Sequence, residues 1–193
     1  MSPSPGPGAL FRDERAVSAL EFALVLPLLV LFGAGTIEVS RLLLLTQKLQ
    51  SAAFMLADLT ARIDGDAVRR SETLGNVFLA IDEVVKPFDF AGGGRAVVTS
   101  IASPAADATP TVAWQCAGSG GLAATSAVGV PAETAALPLG LDIRKGETII
   151  AAEVYFEFRP LFGVGLLPER TIRRVAYFKP RLGEIASVAC PES

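Results

Sequence analysis

The chain has 193 residues, of which 51% are hydrophobic and 19% charged, with a net charge of −3. It contains no histidine, which removes the commonest general base and the commonest neutral metal ligand, and its 2 cysteines fall short of the set that a structural zinc site takes. The slightly acidic balance lacks the clustered basic face of a nucleic-acid binder, so no nucleic acid, metal or other cofactor is expected.

Residues Met1 to Leu10 are Pro, Gly and Ser without periodicity and read as a disordered leader. Phe11 to Arg15 adds Arg12 and Arg15 just ahead of Ala16–Ile37, AVSALEFALVLPLLVLFGAGTI, in which Glu21 is the single charge. At ~1.5 Å per residue such a run crosses a bilayer as one helix. A glutamate within it is costly unless it reaches the interface or meets a partner. Two readings of Glu21 follow: it snorkels to the near interface, or it pairs with a cation on a neighbouring subunit and sets axial register. Pro27 predicts a kink of the kind lipid-embedded helices tolerate.

Beyond the run, Leu42, Leu45, Leu49, Ala52, Leu56, Leu59 and Ile63 recur at alternating spacings of three and four, a heptad seam unbroken by proline. One helix is therefore predicted from about Val17 to Ile63, ~70 Å at the usual rise, with Gly65 as its terminator. A second amphipathic helix is predicted over Arg69–Lys86, with Leu74, Val77, Phe78, Ile81, Val84 and Val85 on its apolar side and Pro87 ending it. After a hinge at Gly92–Gly94 the pattern turns to strands: Arg95–Ile101, Thr111–Cys116, Glu147–Phe158 and Thr171–Phe178. In the third, Ala152, Val154, Phe156 and Phe158 alternate with Glu153, Tyr155 and Glu157, which predicts an antiparallel sheet with one buried face. The Gly-, Ala- and Pro-rich connection Ala117–Ile143 is long for a hairpin and is expected to hold a loop or a short helix. The fold class is α+β.

Catalytic chemistry is sparse. Gly92–Arg95 lacks the Lys-Ser/Thr pair of a phosphate loop, and Gly118–Gly121 has neither a nucleophile elbow nor a histidine to activate Ser119. Glu153 and Glu157 share a strand face and form a conceivable carboxylate pair, but Arg173 and Arg174 make cross-strand charge pairs the expected account. The counts of Lys and Arg on the two flanks of the apolar run are similar, so the positive-inside rule leaves orientation open. If the C-terminal half is exported, Cys116 and Cys190 are expected to form a disulfide, closing a loop worth roughly 4 kcal/mol; otherwise they are two buried thiols.

The phrase Arg15-Ala16-Val17-Ser18-Ala19-Leu20-Glu21-Phe22-Ala23-Leu24-Val25-Leu26-Pro27, followed by Ile37-Glu38-Val39-Ser40-Arg41, resembles the N-terminal signature of TadE/TadG-like proteins. These are pseudopilin-like components of the tight-adherence (Flp, type IV-like) pilus system. Val154–Leu161, Tyr177–Arg181 and Trp114-Gln115-Cys116 with the late Cys190 are similar to that family's periplasmic region. The resemblance implies processing by a prepilin peptidase between Ala16 and Val17, after which the amino group of Val17 neutralises Glu21 of an adjacent subunit. The chain departs from the family pattern at Ala16, where glycine is usual.

The expected organisation is a cytoplasmic leader over residues 1–16, a transmembrane helix over 17–40, a helical stalk over 41–66 and a periplasmic α+β head over 67–193. The leading functional expectation is a non-catalytic assembly subunit, single-pass in the bacterial inner membrane, that meets other pilus subunits through its N-terminal helix. The alternatives are a secreted or periplasmic binding domain behind a signal peptide cut near Gly33-Ala34-Gly35, and an envelope enzyme using Glu153 and Glu157.

Overall fold

A computed structural model describes residues 14–63, 71–104, 109–118, 120–162, 167–181, 185 and 188–190. The Met1–Leu10 leader, the terminator at Gly65, the start of the second helix at Arg69 and Ser119 lie outside them. The chain forms two compact units: residues 1–41 with 160–167, and residues 42–159 with 168–193.

Helix α1 runs Glu14–Ala61 and contributes to both units. In the first unit it is apolar on all sides, and Leu20, Phe22, Leu24, Leu29 and Phe32 are exposed. Its most apolar 18-residue window holds no buried residue. By length and composition this helix can cross a membrane. The backbone stays helical through Pro27.

In the second unit the same helix changes character. Leu45, Leu49, Ala52 and Leu56 of the seam are fully buried, and Ala53, Ala57, Thr60 and Ala61 join them. That set follows the 3.6-residue period of a helix packed on a core, not the narrower strip kept for a second helix. Leu59, expected in the seam, is on the outer face. Thr60 satisfies its buried hydroxyl by donating to Leu56 O at 2.7 Å. Helix α2 spans Ser71–Val85 and buries Leu74, Phe78, Ile81 and Val85, the i, i+4, i+7 side of its amphipathic pattern. A single turn, α3 (Phe90–Gly93), is capped by Asp89, which accepts from Gly92 N–H at 3.1 Å.

Four strands follow: β1 (Gly94–Ala102), β2 (Thr111–Gly118), β3 (Thr148–Phe158) and β4 (Arg170–Phe178). They form one sheet in the order β2-β1-β3-β4, and every neighbouring pair is antiparallel. A register shift between Ser100 and Ile101 interrupts the β1–β2 pairing.

One face of β3 packs towards the helices: Phe156 meets Phe88 and Phe90, and Phe178, the register partner of Ile150, meets Phe54 of α1. The opposite face was expected to be solvated, and it is not. Ile149, Ala151, Glu153 and Tyr155 are all buried. The connection from β2 to β3 folds back over them, where Val128, Ala135 and Ile143 join Ile101, Val112, Ile149 and Ala151 in one apolar cluster. Among its described residues this connection contains no helix. It is pinned by a bridge between Thr111 and Thr134 and by Gln115, whose amide donates to Gly129 O at 3.0 Å. A loop rich in Ala and Gly gave no periodic signal, so its apolar contribution was invisible to pattern reading.

Gly120 has φ +90°, and a Cβ there would fall 2.1 Å from Gly94 O. Only glycine allows the loop to leave the sheet this close to β1.

Candidate functional site

Ala16 and Val17 lie in the first turn and a half of α1, with the peptide bond between them inside continuous helix. Val17 is 45% exposed. Glu21, one turn further on, is also exposed, as are Leu20 and Phe22 beside it. Within one chain Val17 and Glu21 are i, i+4 neighbours on one side of the helix.

Glu38 stands at the other end of the apolar run and is 2% exposed. It is the first acid after Glu21. The backbone N–H groups of Leu161 and Phe162 donate to its two carboxylate oxygens at 2.8 and 3.3 Å. The Arg41 guanidinium, one turn on, lies 3.9 Å from Oε1 as an ion pair. Sequence reading placed Glu38 only within a family phrase, because nothing along the chain signals that residues 161 and 162 return to it. The hint available was an acid at the boundary of a bilayer-length run, which needs a partner to be buried.

Glu153 is fully buried on β3. Its Oε1 accepts from Tyr155 Oη at 2.7 Å, Arg173 Nε at 2.7 Å and Ala127 N–H at 3.1 Å. Its Oε2 accepts a short hydrogen bond from the Ser126 hydroxyl. The Tyr155 oxygen in turn accepts from Ala127 N–H at 3.0 Å, and Ser126 Oγ accepts from Val128 N–H at 3.1 Å. One carboxylate thus fastens residues 126–128 of the loop layer to the sheet. Burial, and then the adjacent Glu153 charge, push the Tyr155 phenol up to about 12. Burial likewise raises Tyr177.

Of the expected cross-strand pairs, Arg173 meets Glu153, but Arg174 meets neither glutamate. In the register Tyr155 faces Arg173 and Val154 faces Arg174, so the pleat turns Arg174 to the other face. Glu157 pairs instead with Arg159 at 2.6 Å on the same strand end. Glu153 and Glu157 therefore do not converge. With both oxygens of Glu153 occupied by four donors, the cluster is suited to holding the loop rather than to moving a proton. Among the described residues no group of His, Cys, Asp and Glu is arranged to hold a metal ion.

Cys116 of β2 is bonded to Cys190, with Cα atoms 5.3 Å apart across a sequence separation of 74. Two residues earlier on β2, Trp114 donates its indole N–H to Ile185 O at 2.7 Å, and Ile185 is buried. The segment after β4 is therefore fastened to β2 twice, once covalently.

Comparison with curated proteins gives no match, and neither does comparison with solved structures. A family model described as TadE-like protein matches residues 16–58. The matched stretch lies wholly within α1 and includes Ala16, Val17, Glu21 and Glu38. Over residues 16–58 the chain is similar to TadE-like proteins.

Proposed function

We propose that this chain is a non-catalytic, membrane-anchored, minor pseudopilin-like subunit acting in tight-adherence (Flp, type IV-like) pilus biogenesis. The observation that carries the reading is the coincidence of the TadE-like match with the helix whose apolar window is wholly exposed. An all-round apolar helix needs an apolar solvent or neighbouring helices, and a bilayer holding other pilus subunits supplies both. In this reading the N-terminus is cytoplasmic, α1 spans the inner membrane once, and the sheet-bearing unit is periplasmic. The disulfide supports that orientation, since such bonds persist in oxidising compartments. The continuity of α1 through Gly33-Ala34-Gly35 favours an anchor over a signal peptide cut there.

The buried seam also narrows the part of the N-terminal helix open to assembly. Leu45, Leu49, Ala52 and Leu56 are already used within their own unit, so partner subunits meet α1 along residues 17–37. Glu21 selects axial register there by pairing with a cation, the processed amino group of Val17 on a neighbour. A prepilin peptidase acting between Ala16 and Val17 would create that group. Two measurements test the proposal. Intact mass of the membrane-purified protein is expected to begin at Val17, and an uncut leader removes the amino-group partner. Glu21→Ala is expected to stay in the membrane fraction while piliation is impaired; normal pili from that variant would refute the role given to Glu21.

A further inference from the structure

Among the described residues, the first unit groups the membrane-length part of α1 with Pro160, Leu161, Phe162 and Leu167 of the connection between β3 and β4. Three observations fix the character of that segment. Leu161 and Phe162 are 60% and 43% exposed. The sequence from Pro160 to Pro168, PLFGVGLLP, carries no charge. Leu167 lines an apolar groove together with Leu31, Phe32, Gly35, Thr36 and Val39 of α1. Most of these α1 residues precede Glu38, on the side of the apolar run.

Depth follows from the helix rise. Glu38 lies ~34 Å along α1 from Arg15 at ~1.5 Å per residue, against a hydrocarbon core of ~30 Å. Glu38 therefore marks the far boundary of the core, and Leu167, which shares a groove with Phe32 and Gly35, stands on the bilayer side of that boundary. Irregular backbone is expensive there because its N–H groups lose water. Glu38 answers that cost: its carboxylate takes the N–H groups of Leu161 and Phe162. Thr36 answers its own by donating to Phe32 O at 2.8 Å.

We infer that Leu161 and Phe162, at the start of the β3–β4 connection, form a second membrane contact, seated in the acyl–headgroup boundary of the far leaflet, with the Glu38 carboxylate as the latch that holds them at that depth. The partner is the lipid surface itself. A lipid surface fits the uncharged segment and its continuity with the exposed apolar side of α1, and the groove offers acyl chains an apolar floor. The inference rests on the proposal that α1 spans the membrane.

The test uses the full chain in lipid nanodiscs, with a polarity-sensitive fluorophore on Cys introduced at Leu24 or at Phe162, kept under non-reducing conditions so that the Cys116–Cys190 bond stays closed. Lipids carrying a quencher in the acyl chain are the probe. Loss of most of the fluorescence at both positions is expected, and adding Glu38→Ala is expected to restore it at Phe162 but not at Leu24. Quenching at Leu24 without quenching at Phe162 overturns the membrane contact and leaves the anchor standing. The same pattern accompanied by crosslinks from Phe162 to another copy assigns the surface to a subunit instead. No quenching at either position overturns the anchor and the contact together. Unchanged quenching at Phe162 in the Glu38→Ala chain removes the latch.

Discussion

Replacing Glu153 by alanine would strip four donors of their acceptor and leave Arg173 against a buried void. Breaking a fully buried pair costs about 3–5 kcal/mol; because the Arg173 side chain keeps 36% of its exposure, a loss of about 2–4 kcal/mol is expected, read as a lower denaturant midpoint of the detergent-solubilised chain. Tyr155→Phe removes one neutral-to-charged hydrogen bond and should cost about 1–2 kcal/mol on the same assay. Tyr155 also sets a pH dependence. Its folded value of about 12 stands above the ordinary 10.0, so the folded chain holds the phenolic proton more tightly than the unfolded one. The stabilisation is complete below pH 10 and falls away as pH rises through about 12. Tyrosinate absorbance should accordingly appear late in an alkaline titration, and an ordinary midpoint for both tyrosines would contradict the buried cluster. The two glutamates were legible as a pair on one strand face, and Arg173 as a neighbour. Ser126 and Ala127 were not, because hydrogen bonds across a loop of no fixed period leave no mark in local sequence.

At the level of elements, the four strands fall within about two residues of where alternation and turn residues placed them. Both long helices follow their apolar spacing equally closely. The layer over the second sheet face escaped, since Val128, Ala135 and Ile143 are too far apart to register as a pattern. The tail is the other element that only the fold reveals. A chain-entropy treatment of the Cys116–Cys190 closure, separation 74, gives roughly 4 kcal/mol. Mild reduction, or Cys190→Ser, is expected to lower the thermal midpoint while the far-ultraviolet helix signal at low temperature is kept, because α1 and α2 bury their own faces without the tail. Loss of the Trp114–Ile185 contact should accompany it as a change in tryptophan emission, which is unambiguous because the chain has 1 tryptophan.

For the whole molecule, the membrane claim and the head claim part experimentally. Alkaline carbonate washing is expected to leave the chain in the membrane pellet, since α1 exposes Leu24, Leu29 and Phe32 with no protein cover. Release into the wash would favour the secreted alternative. The apolar run announced this behaviour in the sequence because a span is a matter of length and composition. The packing of the seam of α1 into its own sheet-bearing unit was hidden, since a seam with heptad spacing satisfies a partner helix and a sheet equally well. Only the added burial of Ala53, Ala57 and Ala61 tells them apart.

The strand order β2-β1-β3-β4 also dictates a sequence of events in time. The β1–β2 and β3–β4 pairings join neighbours in the chain, whereas β1 meets β3 only across the whole loop layer, with Ala102 and Thr148 as the nearest partners. Contacts of long sequence separation form late. During synthesis the first hairpin can close alone, and the centre of the sheet must wait for β3. Cys190 follows the last strand, so its bond to Cys116 has no part in closing the first hairpin as the chain emerges and can join only once all four strands have been made.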